Sequence, residues 1–171
     1  AGQLALLGAD VIKIEQPGQG DPMRTMMANN DLAALKLSPG FLGVNTNKRG
    51  ITVDLKHPDA RQIIHRLLAD ADVVIENFKA GVIERLGYGY EAVRAVKADI
   101  IYCSISGYGQ QGPMAGKAAY DGAIQAASGM MSVTGTPDSG PLRVGYMPVD
   151  VPTGITASFA IASALFRRSH T

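Results

Sequence analysis

Four short runs rich in β-branched and other apolar residues, at 10–15, 51–55, 72–76 and 99–106, are separated by stretches that can hold helices. That alternation constrains the chain more than any other feature. Two strands can pair in parallel only if the chain crosses back between them, which usually takes a helix. The clearest crossover is 58–71, where Ile63, Ile64, Leu67 and Leu68 fall on one helical face. Pro58 suits its first turn, Asp59, Arg61 and Arg66 face water, and His65 lies off the apolar face and reads as solvated. Further helices are predicted at 82–86, 90–97 and 120–131, and the chain opens on what reads as the last turns of a helix stopped by Gly8. The fold class is therefore α/β, a Rossmann-like parallel sheet with helices on both faces. Ligands in such sheets gather at the carboxyl ends of the strands, here marked by Glu15-Gln16, Glu76-Asn77 and the polar residues from Ser104 to Tyr108.

Between these elements the pattern is weaker. Residues 21–40, with Met23, Met26 and Met27, read as an irregular excursion holding at most one short helix. Residues 43–50 read as a polar turn ahead of a strand at 51–55, and in the first strand Val11, Ile12 and Ile14 are the expected buried positions. Both ends look cut, so residues 1–171 are expected to form an incomplete large domain truncated at each end, with no second domain.

Composition excludes several classes. At 171 residues and 46% hydrophobic, the chain can bury one core. A formal net charge of +1, with Lys and Arg scattered, argues against a nucleic-acid partner. The apolar run 155–166 is too short and too interrupted for a membrane span. Three His without paired spacing and the single Cys103 make no metal site or disulfide framework; a buried thiol in a reducing cytoplasm fits.

Two glycine-rich strings imitate nucleotide-binding motifs. Gly107, Gly109 and Gly112 match the letters of the dinucleotide fingerprint, but Pro113 and Gly116 interrupt the helix whose N-terminus would meet a pyrophosphate. The stretch from Gly112 to Lys117 lacks both the spacing and the Ser or Thr of a P-loop. No G-x-S-x-G elbow is present.

One carboxylate stands out. Asp150 precedes Pro152 and the apolar run 155–166, where either a helix N-cap or a loop-mounted functional group belongs. Asp121, at the head of the 120–131 helix, reads as that helix's own cap.

Longer strings carry more information. Leu7-Gly-Ala-Asp-Val-Ile-Lys-Ile-Glu15, Asn47-Lys-Arg-Gly-Ile-Thr-Val-Asp-Leu-Lys56, Ala71-Asp-Val-Val-Ile-Glu-Asn-Phe78 and Ile105-Ser-Gly-Tyr-Gly-Gln-Gln-Gly-Pro113 occur in order with Tyr120-Asp121 and Asp150-x-x-x-Gly154. In these the chain resembles, over essentially its whole length, the class III CoA-transferases, the family of formyl-CoA and carnitine CoA-transferases and α-methylacyl-CoA racemase. The resemblance implies that Asp150 is a nucleophile that becomes acylated. It implies that Val53, Asp54 and Lys56 line the CoA cleft, that Asn77 and Phe78 contact the cofactor, and that Arg85 approaches its phosphates. Lys117 and Tyr120 match a Lys/Tyr pair near the same cleft, one residue further apart here. Gln16 stands where formyl-CoA transferase has an arginine near the adenine.

The implied reaction moves CoA from an acyl-CoA donor to a small carboxylic acid, with CoA as substrate and no permanently bound cofactor. Backbone N–H groups and nearby glycines are the expected oxyanion donors. Racemisation is the alternative, and it would require His where Tyr120 stands, since a phenol with a pKa near 10 is a poor base at neutral pH. A catalytically silent CoA-binding fragment is a second alternative. An interlocked homodimer is the assembly implied for the full-length protein.

Overall fold

The computed structural model describes residues 1–26 and 28–171; Met27 lies outside the described residues. The chain divides into two compact units, residues 1–67 and 68–171.

In the first unit, α1 (Gly2–Leu6) ends as its sequence predicts. Gly8 takes φ +98°, and the N–H of Ala9 returns to the carbonyl of Leu4 at 3.0 Å, closing the helix end. β1 (Val11–Glu15) follows and pairs in parallel with β2 (Lys48–Thr52), Ile14 opposite Ile51. β2 thus starts three residues earlier than predicted and includes Gly50. Arg49 is fastened to Asp10 by two hydrogen bonds of 2.9 and 2.6 Å, so partners outside the apolar pattern fix the strand's beginning. Ile12 and Ile14, expected inside, are exposed, and Glu15 is the buried residue of β1.

The excursion between the strands is more helical than its composition suggests. A 3-10 turn (Pro22–Arg24), α2 (Asn30–Ala34) and α3 (Pro39–Asn45) occupy it. Each start carries a side-chain cap: Asp21 accepts the N–H of Met23, Asn29 that of Leu32, and Ser38 that of Phe41. Glu15 grips Arg24 through bonds of 2.7 and 2.9 Å, and the Arg24 guanidinium lies 3.9 Å over the Phe41 ring.

α4 (Ala60–Ala69) buries Ile64 and Leu68 of its predicted apolar face and half-buries Leu67, while Ile63, also expected on that face, is exposed. In the second unit β3 (Val73–Glu76) pairs in parallel with β4 (Ile101–Ser104), Val73 opposite Ile101. The crossover between them holds α5 (Val82–Arg85) and α6 (Tyr90–Arg94). The fold is thus mixed α/β with parallel strands, organised as two separate two-stranded pairs.

After a long loop come α7 (Asp121–Ala127), the hairpin of β5 (Gly135–Thr136) with β6 (Gly140–Pro141), and α8 (Asp150–Arg168). Ile83, Val93, Ile100 and Ile161 are buried in this unit. Arg168 binds the carbonyl of Asp99 at 3.1 Å and the carboxylate of Asp72, tying the C-terminal end of α8 to the entrances of β4 and β3. Val151, Ile155, Phe159 and Phe166 leave apolar side chains of α8 exposed. No helix among the described residues is long and apolar enough to cross a membrane.

Candidate functional site

The N–H groups at a helix start have no partner within the helix, and an N-cap Asp commonly takes them with its side chain. Asp150 does not hold that position: Val149 is the N-cap and Asp150 the first helical residue. The Asp150 carboxylate accepts no hydrogen bond from the described residues.

The donors are satisfied from elsewhere. Oδ2 of Asp121 accepts the N–H of Val149 at 2.9 Å and that of Asp150 at 3.2 Å. Oδ1 of Asp121 accepts from Nε2 of Gln125 at 2.5 Å, and Oε1 of Gln125 accepts the N–H of Val144 at 2.9 Å. Asp121 is 7% exposed and Gln125 fully buried. Asp121 is thus not the cap of its own helix, whose start has no side-chain cap; it caps α8. The Val149 and Asp150 amides, being engaged, are not free to serve as oxyanion donors.

The two carboxyls are pushed in opposite directions. For Asp121, burial raises the pKa, but the hydrogen bonds from Gln125, Val149 and Asp150 and the charge of Arg143 outweigh it and hold the group below its ordinary range. For Asp150, partial desolvation and then the negative charge of Asp121 push the group above it.

A chain of contacts joins this carboxylate pair to the end of the β3–β4 pair. Asn77, just past β3, donates from Nδ2 to the carbonyl of Ile105 at 2.7 Å, just past β4. Two residues on, a Cβ at Gly107 would collide with that of Ala119, so the loop passes directly against the residue before Tyr120. Tyr120 then adjoins Asp121. Beneath Asn77, Glu76 accepts the N–H of Phe78 at 2.8 Å and the hydroxyl of Ser104, while Gln110 donates to Ser104 at 2.5 Å. This network holds the backbone so that Asn77 and Phe78 sit at the surface.

Tyr120 is 78% exposed, and Lys117 is exposed three residues before it. Arg85 closes α5 with its guanidinium folded toward Gly81, where a Cβ would lie 3.1 Å from Nη1. Residues 107–112 run as bends with Gly109 and Gly112 at positive φ, and no helix opens there to face a pyrophosphate. Cys103 is half-buried, and burial pushes its thiol up.

The remaining candidates belong to the first unit. Val53 is buried, and its N–H continues the ladder to the carbonyl of Glu15 at 2.9 Å. Asp54 accepts the N–H of Lys56 at 3.0 Å, a turn that leaves both side chains exposed. Gln16 borders a cavity with Gly18, Arg24, Lys36 and Thr52 at the carboxyl end of this strand pair. Its cations are already engaged, Arg24 with Glu15 and Lys36 with the carbonyl of Gly18 at 2.6 Å.

The second unit thus carries an exposed carboxylate at the head of α8, a buried carboxylate that takes the N–H groups of Val149 and Asp150, and exposed Asn77, Phe78, Lys117 and Tyr120 at the strand ends and ahead of α7. The family model for CoA-transferase family III matches residues 1–171. The chain is 42% identical over 168 residues to a succinyl-CoA:glutarate CoA-transferase of Mus musculus, covering 96% of this chain and 37% of that protein. It is 38% identical over 168 residues to a formyl-CoA:oxalate CoA-transferase of a Bradyrhizobium species, covering 98% of this chain and 39% of that one. A crystal structure of a CAIB/BAIF family protein from Brucella suis superposes with a TM-score of 0.88 at 40% identity, over 99% of this chain and 45% of that one. The chain belongs to CoA-transferase family III and spans less than half the length of these relatives.

Proposed function

We propose that the protein containing residues 1–171 transfers CoA from an acyl-CoA to a small carboxylic acid, with Asp150 as the covalent nucleophile. The observation that carries this reading is the state of Asp150: an exposed carboxylate at a helix head that accepts no hydrogen bond among the described residues, its own backbone N–H held by Asp121.

In the first step an Asp150 oxygen attacks the thioester carbonyl. The C–S bond breaks, CoA leaves as a thiolate, and the acyl group remains as a mixed anhydride. The thiolate then attacks the aspartyl carbonyl of the anhydride, releasing the donor acid and leaving an aspartyl-CoA thioester. The acceptor carboxylate reverses both steps on its own account. Each intermediate conserves the activation of the original thioester, so no ATP is needed. CoA enters as substrate, not as a resident cofactor.

Asn77, Phe78, Lys117 and Tyr120 line the CoA cleft in this reading, supported by their exposure around the strand ends and α7. Arg85 contributes phosphate charge. For Val53, Asp54 and Lys56, in the first unit, the support is the family resemblance alone. Tyr120 in place of a His disfavours racemisation. The names of the relatives support succinyl-CoA or formyl-CoA as donors and glutarate or oxalate as acceptors. Residues 1–171 are then part of the large domain of a longer enzyme, a reading that the coverage of the relatives supports. The exposed apolar side chains of α8 offer surface for the interlocked dimer. The free Cys103 fits a cytoplasmic site.

Initial-rate kinetics of the full natural polypeptide with succinyl-CoA and glutarate test the reaction. A new acyl-CoA formed with parallel double-reciprocal lines is expected. No transfer with succinyl-, formyl- or oxalyl-CoA as donor to any small acid would refute it.

A further inference from the structure

The geometry points to Asp121 and Gln125 as positioning residues: one turn apart on α7, they hold both ends of the 144–150 segment and so set where the Asp150 carboxylate stands. The inference rests on the reading of Asp150 as the nucleophile.

Burying a carboxylate and an amide is costly unless each polar atom is used. Here all four are. Oδ2 of Asp121 takes the N–H of Val149 and of Asp150, Oδ1 takes Nε2 of Gln125, and Oε1 of Gln125 takes the N–H of Val144. The pairing is directional. Only an acceptor can meet two adjacent helix-start amides, and only the Gln125 amide can donate to that acceptor while accepting from Val144.

The Asp150 oxygens are uncommitted: its carboxylate accepts no hydrogen bond among the described residues, the next helix-start N–H, that of Val151, goes to the carbonyl of Met147 at 3.2 Å, and Pro152 has none. An orientation role is large in such chemistry, because a displacement of about 1 Å at the reacting atom can cost roughly 100-fold in rate. The charged groups facing the pair are Asp150 and Arg143, whose side chain would lie 3.6 Å from a Cβ on Gly122.

Three variants of the full natural polypeptide test this beside the wild type. Asp121→Asn keeps the shape but cannot accept from Gln125 and from both amides at once. We expect kcat to fall about 10- to 100-fold while KM for the acyl-CoA changes less than about 3-fold. Gln125→Glu keeps the acceptor for Val144, but the introduced carboxyl can donate to Asp121 only when protonated. Its kcat should therefore approach wild type just above the acid limb set by Asp150 and fall as pH rises across the range where the wild-type profile is flat. A merely structural role would lower the melting temperature without creating that pH dependence.

Asp150→Asn separates the two readings. If it abolishes transfer while the Asp121 and Gln125 variants keep wild-type kcat and pH profiles, the positioning role fails and the nucleophile stands. If Asp150→Asn still transfers CoA, the nucleophile reading fails and the positioning role with it. Loss of kcat in the Asp121 and Gln125 variants only in proportion to loss of folded protein would also overturn the positioning role.

Discussion

The buried carboxylate of Asp121 accepts the backbone N–H of Asp150 at 3.2 Å, so one acid of the site holds the peptide of the other. The same proximity raises the Asp150 pKa, after partial desolvation has begun to do so. Asp150 must be ionised to attack, so kcat/KM should fall as pH drops through a pKa above the usual range for Asp. Asp121→Asn removes the neighbouring charge, and the acid limb of its residual activity should move to lower pH. Rate–pH profiles from about pH 3.5 to 8 would show the displacement.

Asp150 should cost the native state some stability at neutral pH. A carboxyl with a raised folded pKa binds protons more readily when native, so its contribution becomes more favourable as pH falls through that pKa. Asp150→Asn should therefore raise the melting temperature at pH 7, on the order of 1–2 °C because solvent screens an exposed group. The difference should vanish near pH 3.5, to be read by thermal denaturation at both pH values.

Glu15 and Arg24 carry the opposite sign. The Arg24 hydrogen bond holds the Glu15 pKa below its ordinary value against the opposing effect of burial, with help from the N–H of Asp21. The stability it contributes is fully present above the usual Glu pKa and is lost as pH falls through the lowered folded value. Arg24→Met should destabilise the first unit by about 2 kcal/mol at pH 7, below the range for wholly buried pairs because Arg24 is partly exposed. The deficit should shrink toward pH 3, measured by urea denaturation.

Gly107 is tied to Ala119 by space alone. Gly107→Ala should destabilise by about 1–3 kcal/mol through the collision of the two Cβ atoms, and slow turnover through Tyr120 and Asp121 next along the chain. Adding Ala119→Gly should recover most of the stability. Denaturation of the two single variants and the double variant measures that coupling.

How far the sequence reveals such relations depends on their range. The helix at 58–71 was legible because Ile64 and Leu68 recur at helical spacing, and the parallel pairing because strands and helices alternate. The Gly8 stop of α1 was legible because it is local. The start of β2 was not, since Lys48 and Arg49 look like turn residues until Asp10, 39 positions from Arg49, is seen to bind it. The capping of residues 22–45 was overlooked although Asp21, Asn29 and Ser38 all stand at helix starts.

In the site, Asp150 was singled out by its place before an apolar helix and by the family strings. The role of Asp121 was misread because its true partners lie 28 and 29 residues away. Gln125 carried one faint signal, a polar side chain four residues after Asp121 on a helix of otherwise small and apolar residues.

The most direct test is to find the acyl group on the protein. The full natural polypeptide is incubated with succinyl-CoA or formyl-CoA, quenched with hydroxylamine, and digested for mass spectrometry of the peptide spanning residues 144–167. A hydroxamate on Asp150, absent without acyl-CoA and absent in Asp150→Asn, is the predicted result. CoA transfer proceeding at full rate with that peptide unmodified, or with the hydroxamate on another residue, would contradict the account.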